Sequence, residues 1–203
     1  MQITFWFVVL SGPCWTARAT PARSSKGSKE ILDQTMTKYV ALLRGIAPLN
    51  PNMQNDKLRS VFEKLGFENV KTVISSGNVI FESPSRSVKK LEETIETALP
   101  EQLGFTSTTI IRSRGQIQKL VDQNPFQGKE HSQKSNLNVT FLKKKRKTNL
   151  KFPYKIDDRD YELLGMYDGA ICSVIDLTSA KTPDLMVWLE KKFGKEITTR
   201  TWK

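Results

Sequence analysis

What this sequence has little of narrows its chemistry first. It contains two cysteines and a single histidine in 203 residues. Cys14 lies in an N-terminal stretch unlike the rest of the chain. Cys172 lies in an apolar, strand-like run, where a small buried thiol is the ordinary expectation. No Cys or His spacing suits a metal centre, so a zinc site is not expected. His131 stands alone in a polar Gly-Lys-Glu-His-Ser loop, which argues against histidine-based catalysis. There is no Ser-His-Asp arrangement and no phosphate-loop glycine pattern, and no cofactor is indicated. The apolar run at 3–10 is too short to span a bilayer. Acidic residues are also scarce beside basic ones, 21 Asp and Glu against 32 Lys and Arg, for a net charge of +11. Such a balance favours acidic partners, among them nucleic acid and phosphorylated ligands, and it also aids solubility.

Residues 1–35 read as an extension outside the core. The apolar run at 3–10 and the small-x-small triplet Ala17-Arg18-Ala19 resemble a secretory signal, but no basic segment precedes the run. Met36 stands just before the first convincing strand, so a start there leaves a complete fold. The expectation is a cytoplasmic protein, with export as the alternative if residues 1–19 act as a signal.

From 36 onward the periodicity is clear. A continuous apolar strand at 38–44 precedes a proline-punctuated loop and a helix at 55–65, with Leu58, Val61, Phe62 and Leu65 on one face. A strand at 70–75 and another opening at Val79 flank Gly77-Asn78, read as a tight hairpin turn. Ser87 caps a helix at 87–99 with Val88, Leu91, Ile95 and Leu99 inward. The Thr- and Ser-rich strand at 105–112 has the polar texture of an edge. This is the order βαββαβ. After a short helix at 115–123 and the stop Asn124-Pro125-Phe126, the polar loop 127–135 marks the best internal boundary.

The second half opens with a strand at 137–142. Strands at 160–164 and 170–177 follow, joined at Asp168-Gly169. An inward-facing helix at 182–193 and an extended end at 197–202 close the chain. A hairpin followed by an amphipathic helix thus occurs twice. The expected fold is α+β, with two ferredoxin-like (βαββαβ-type) subdomains in tandem at 36–126 and 127–203 and helices packed on one face of antiparallel sheets.

Several stretches resemble the domain of unknown function 1697 family: Tyr39-Val40-Ala41-Leu42-Leu43-Arg44-Gly45-Ile46, Leu65-Gly66-Phe67-Glu68-Asn69-Val70-Lys71-Thr72, Ser76-Gly77-Asn78-Val79-Ile80-Phe81, Asn124-Pro125-Phe126 and Thr198-Thr199-Arg200-Thr201-Trp202. The resemblance implies a mostly bacterial, cytoplasmic α+β protein and no assigned activity. The chain departs from the family pattern at Ala47-Pro48-Leu49-Asn50, where the family loop is glycine-rich, and at Thr201, where the family has Asn.

Three groups are candidates for binding. Arg44 with Ser76 and Asn78 forms the first, because parallel strand ends on one sheet edge bring an arginine beside hydroxyl, amide and turn N–H groups that suit phosphate or carboxylate. The plainer alternative is hairpin punctuation with Arg44 in an ion pair. Lys181 with Thr199 and Arg200 forms the second, Lys181 standing at the positive end of the last helix. The alternative there is a packed Trp202 beside an exposed Arg200. The third is the basic run Lys143, Lys144, Lys145, Arg146 and Lys147, continued by Lys151 and Lys155, which would track a nucleic-acid backbone, with Phe152 and Tyr154 as stacking faces. Its alternative is a solvated connector. The leading expectation is a non-catalytic binding module for a phosphorylated or anionic small molecule in the groove between the halves. Nucleic-acid binding through 143–155 and an enzyme of unrecognised class are the alternatives.

Overall fold

The computed structural model describes residues 35–156, 160–178 and 182–202. Among them are four α-helices and two antiparallel sheets. The first half comprises β1 (Thr37–Leu43), α1 (Asn55–Lys64), β2 (Glu68–Val73), β3 (Asn78–Ser83), α2 (Val88–Leu103), β4 (Thr109–Ser113) and α3 (Arg114–Asp122). The second comprises β5 (Ser135–Leu142), β6 (Tyr154–Lys155), β7 (Tyr161–Tyr167), β8 (Ala170–Asp176), α4 (Thr182–Phe193) and β9 (Ile197–Thr201). The strand orders are β2-β3-β1-β4 and β6-β7-β8-β5-β9. Four strands of the second sheet, β7-β8-β5-β9, therefore repeat the order of the first. Among the described residues the second half has no counterpart of α1, and its basic run and the two-residue β6 lie in that connection.

β1 is apolar without alternation because both of its faces are buried. Tyr39, Ala41 and Leu43 face α1 and α2, in a core with Phe62, Phe81, Leu91, Ile95 and Leu99. Val40 and Leu42 face the other way, into a core shared with Leu137, Val139, Phe141 and Cys172 of the second half and with Ile117 and Leu120 of α3. The far face of the second sheet packs on α4 through Leu142, Ile171, Ile175, Leu185 and Leu189. The order of layers is helices, sheet, sheet, helix, with the shared core in the middle.

Three expectations need correction. The first hairpin does not turn at Gly77-Asn78. Val73 pairs with Asn78, so the turn is Ile74 to Gly77, and Asn78 is a strand residue only 1% exposed. Its amide closes the turn by donating to Val73 O at 3.3 Å and Ser76 Oγ at 2.7 Å. Second, α2 continues through Pro100 to Leu103 and ends at Gly104, which adopts the left-handed conformation at φ 75°. Third, β4 lies at a sheet edge as expected but begins at Thr109 rather than at 105, and its residues through Arg112 are buried. Its outward N–H groups are covered by α2: Thr109 N donates to Glu96 Oε1 at 2.7 Å, and Ile111 N to Glu92 Oε1 at 2.9 Å. Side-chain carboxylates stand in for the neighbour an edge strand lacks, so its residues can be buried.

Candidate functional site between the halves

The two halves grip each other through matched contacts. Register equates Leu43 with Leu142, Val40 with Val139 and Arg112 with Arg200, since Arg112 pairs with Val40 and Arg200 with Val139. Arg112, on β4, reaches across the shared core and donates to Leu142 O at 2.6 Å, where β5 ends, and to Gly169 O at 3.4 Å in the β7–β8 turn. Arg200, on β9, does the reverse. It donates to Leu43 O at 2.8 Å, where β1 ends, and to Asn78 Oδ1 at 2.6 Å beside the β2–β3 turn. Further bonds to Thr198 Oγ1 at 2.7 Å and Thr199 O at 2.9 Å occupy more of its donors. Arg200 has no carboxylate partner among these contacts, and desolvation lowers its pKa to about 10. The Arg112 pKa is also lowered by burial, which Glu92 and Asp168 oppose.

A second matched pair stands where β1 and β5 end. Arg44 follows β1 and Lys143 follows β5, at equivalent positions. Arg44 Nη2 lies 2.5 Å from Glu190 Oε1 on α4, and Lys143 Nζ lies 2.5 Å from Glu96 Oε1 on α2. Each cation thus meets the glutamate of the other half's helix. Those glutamates occupy equivalent places, one residue after the inward Ile95 and Leu189. Arg44 also donates to the carbonyls of Lys195 and Ile197.

Both cations line one cleft of about 510 Å³, together with Gly45, Glu96, Thr106, Ser107, Thr108 and Glu196. Residues of both halves form its walls. Ser107 Oγ donates to Arg44 O at 2.8 Å, which fixes the strand end beneath the cation. The cleft holds two cations, two carboxylates and three hydroxyl side chains. Such a set can take up an anion through charge-assisted hydrogen bonds while the carboxylates orient the cations.

The sequence-predicted residues are regrouped by the structure. Arg44 points to α4 and away from Ser76 and Asn78, so the plainer reading of it as an ion-paired strand end describes its contacts. Ser76 and Asn78 instead join Arg200 in one network. Thr199 bonds with Thr140 Oγ1 at 2.7 Å and with the Met186 sulfur at 2.5 Å, beneath α4. Lys181 lies outside the described residues, as does the 1–34 part of the N-terminal extension. Trp202 packs on Phe126, with ring centroids 5.3 Å apart. In the basic run, Lys143 turns into the cleft, Lys144 pairs with Glu196 at 2.8 Å, and Lys145 pairs with Asp168. Arg146 lies against Gly194, and Lys147 is exposed. Sequence reasoning missed Glu96, Glu190 and Arg112. A signal for the glutamates existed: each follows an inward apolar residue at the same place in the two repeated helices.

Comparison with known proteins bears on the fold and not on the site. Residues 36–171 match a family model described as "Protein of unknown function (DUF1697)". No curated protein matches the chain in sequence. The chain is similar to the solved structure of the conserved bacterial protein SP0830 from Streptococcus pneumoniae. The two are 21% identical with a TM-score of 0.52, covering 82% of this chain and 92% of that one. Among the described residues, no helix is long and apolar enough to cross a membrane.

Proposed function

From the premise that the chain belongs to the DUF1697 family, whose description assigns no activity, we propose that it is a non-catalytic module binding a small phosphorylated or otherwise anionic ligand in the cleft between two ferredoxin-like halves. The order β2-β3-β1-β4 and its repetition in β7-β8-β5-β9 support the ferredoxin-like reading and a division near residues 126 and 127. Residence in the cytoplasm belongs to the same reading and rests on the family resemblance.

One observation carries the function: Arg44 and Lys143, from equivalent positions in the two halves, line the same cleft. Their side chains are 31% and 14% exposed, so each keeps contact with the cleft while its glutamate holds it in place. A phosphate between them would draw on both cations and on the hydroxyls of Thr106, Ser107 and Thr108. In this reading Arg200, Asn78, Ser76 and Thr199 fix the relation of the halves, and with it the width of the cleft, while Arg44 contacts the ligand. A thermal-shift panel of phosphometabolites tests the proposal. At least one compound should stabilise the wild-type chain and lose its effect in the Arg44→Ala and Lys143→Ala variants. If every stabilising compound works equally well on both variants, the cleft is the wrong site.

A second reading, nucleic-acid binding by Lys143 to Lys147, is favoured by the 69% and 75% exposure of the Lys144 and Lys145 side chains. Surface ion pairs of that exposure are weak and exchange readily for phosphate. Binding of single-stranded RNA or DNA that weakens steeply between low and physiological salt would support it, and no salt-dependent binding would sink it.

A further inference from the structure

A different cleft, of about 340 Å³, lies between α3 and the β7–β8 turn. Its floor is apolar: Ile117, Leu120, Phe141 and Ala170 are each at most 4% exposed. One wall is Tyr167, and its position follows from a residue two places earlier. A Cβ on Gly165 would stand 2.7 Å from the Tyr167 hydroxyl oxygen and 2.8 Å from the ring carbons, so the ring lies directly over the glycine. The register shift between Leu163 and Gly165 in β7 accompanies this placement. Over the Phe141 ring, at 5.9 Å from its centroid, stands the Arg112 guanidinium, which also lines the cleft. It is held by the carbonyls of Ile111, Leu142 and Gly169, so it contributes a fixed positive charge rather than a mobile arm. At the mouth, Lys119 and Gln123 are exposed, four positions apart on and just beyond α3. Asp168, the one acidic residue lining the cleft, is paired with Lys145, which lowers its pKa and offsets its charge. The cleft therefore combines an apolar floor, an aromatic wall and a positive mouth.

We propose that this cleft binds a planar ring carrying one acidic group. The ring lies against Tyr167 and the apolar floor, and the acidic group meets Lys119, with the Gln123 amide beside it. The volume is near the lower end for small-molecule sites, which fits a single ring system with one short appendage. Aromatic carboxylates and nucleoside monophosphates share that chemistry. The site is independent of the cleft between Arg44 and Lys143.

The test is ligand-observed saturation-transfer NMR on the full chain with indole-3-carboxylate and adenosine 5′-monophosphate as probes. Indole and adenosine, the rings without the acid, and ribose 5-phosphate, the acid without the ring, are controls. At least one probe should bind, and the corresponding control should bind at least tenfold more weakly. Which probe binds distinguishes the two sources. Lys119→Gln changes an exposed residue and should lower affinity at least fivefold, and Tyr167→Ala should lower it further. Lys89→Gln, on the exposed face of α2, should leave it unchanged. Absence of binding by both probes would overturn the proposal. So would binding that is insensitive to Lys119→Gln, or binding lost in Arg44→Ala, which would move the ligand to the other cleft.

Discussion

The connection after the first strand separates the two halves. In the first half it contains α1, and the sheet beneath is aromatic and apolar: Tyr39, Phe81 and Ile111 pack with Phe62 and Leu91. In the second half the connection is the basic run, and the equivalent sheet positions are Asn138, Ser173 and Thr199. Asn138 and Ser173 are at most 1% exposed, yet among the described residues Asn138 Oδ1 and Ser173 Oγ have no hydrogen-bond partner, and neither has Asn136 Oδ1 nearby. The strands and the crossing arginines are nonetheless the same in both halves. The strand framework is thus separable from the helical layer that covers it. Both outer faces bury polar groups at a cost: among the described residues the first leaves one orphaned atom, Thr109 Oγ1, and the second leaves three.

The sharpest way to break the comparison is to remove a crossing arm. Arg200→Ala strands Asn78 Oδ1 and the Leu43 carbonyl and should cost about 3 kcal/mol in urea unfolding. Arg112→Ala should cost a similar amount if the two arms are equivalent, and a large inequality would show that they are not. Next is the first hairpin. Gly77 has φ 73°, and a Cβ there would stand 2.5 Å from Ile46 Cγ1, whereas Gly104 has φ 75° and nothing within 4 Å. Gly77→Ala should therefore cost about 2 kcal/mol or more, and Gly104→Ala about 1 kcal/mol.

The outer faces give a smaller effect of opposite sign. Asn138→Leu with Ser173→Ala removes orphaned polar atoms and should raise stability by about 1 kcal/mol. Hydrogen exchange should show α4 opening more often than α2 in the wild type, and this difference should narrow in the double variant. The smallest effect concerns the covered edge strand. Glu92→Gln keeps an acceptor for Ile111 N and should change stability at pH 7 by less than about 1 kcal/mol. Burial raises the Glu92 pKa above 4.5, the main cause, against its bond to Ile111 and the charges of Lys143 and Arg112. A raised folded-state value contributes stability that is full below about pH 4.5 and is lost as pH rises through it. Relative to Glu92→Gln, the wild type should therefore lose stability on going from pH 4 to pH 7, as thermal melts across that range would show.

Much of the fold was legible because periodicity and punctuation are local. The unbroken apolar run of β1 announced a strand buried on two sides. Gly194 follows a helix end, and Asp168-Gly169 turns where expected, with Asp168 and Gly169 at positive φ. The first hairpin was misread because Gly-Asn resembles a two-residue turn, while Asn78 is in fact drawn into the strand by Val73, Ser76 and Arg200. The edge position of β4 was legible in its Thr and Ser, but its burial was not, because the glutamates that permit it lie on another element. The candidate cleft was least legible. Arg44 and Glu190 are 146 residues apart in sequence, and Arg200 and Asn78 are 122 apart. Nothing local in either segment specifies the partner. Arg44 and Lys143 become comparable only when the two sheets are placed in register.

The direct test of the central claim is a calorimetric titration of the best stabilising phosphometabolite into wild-type protein and into an Arg44→Gln/Lys143→Gln double variant. The double variant removes both charges and keeps a polar side chain at each position. One ligand per chain, bound at least tenfold more weakly by the folded double variant, is the predicted result. Equal affinity for the two proteins would contradict the claim that matched cations from the two halves make a single anion site.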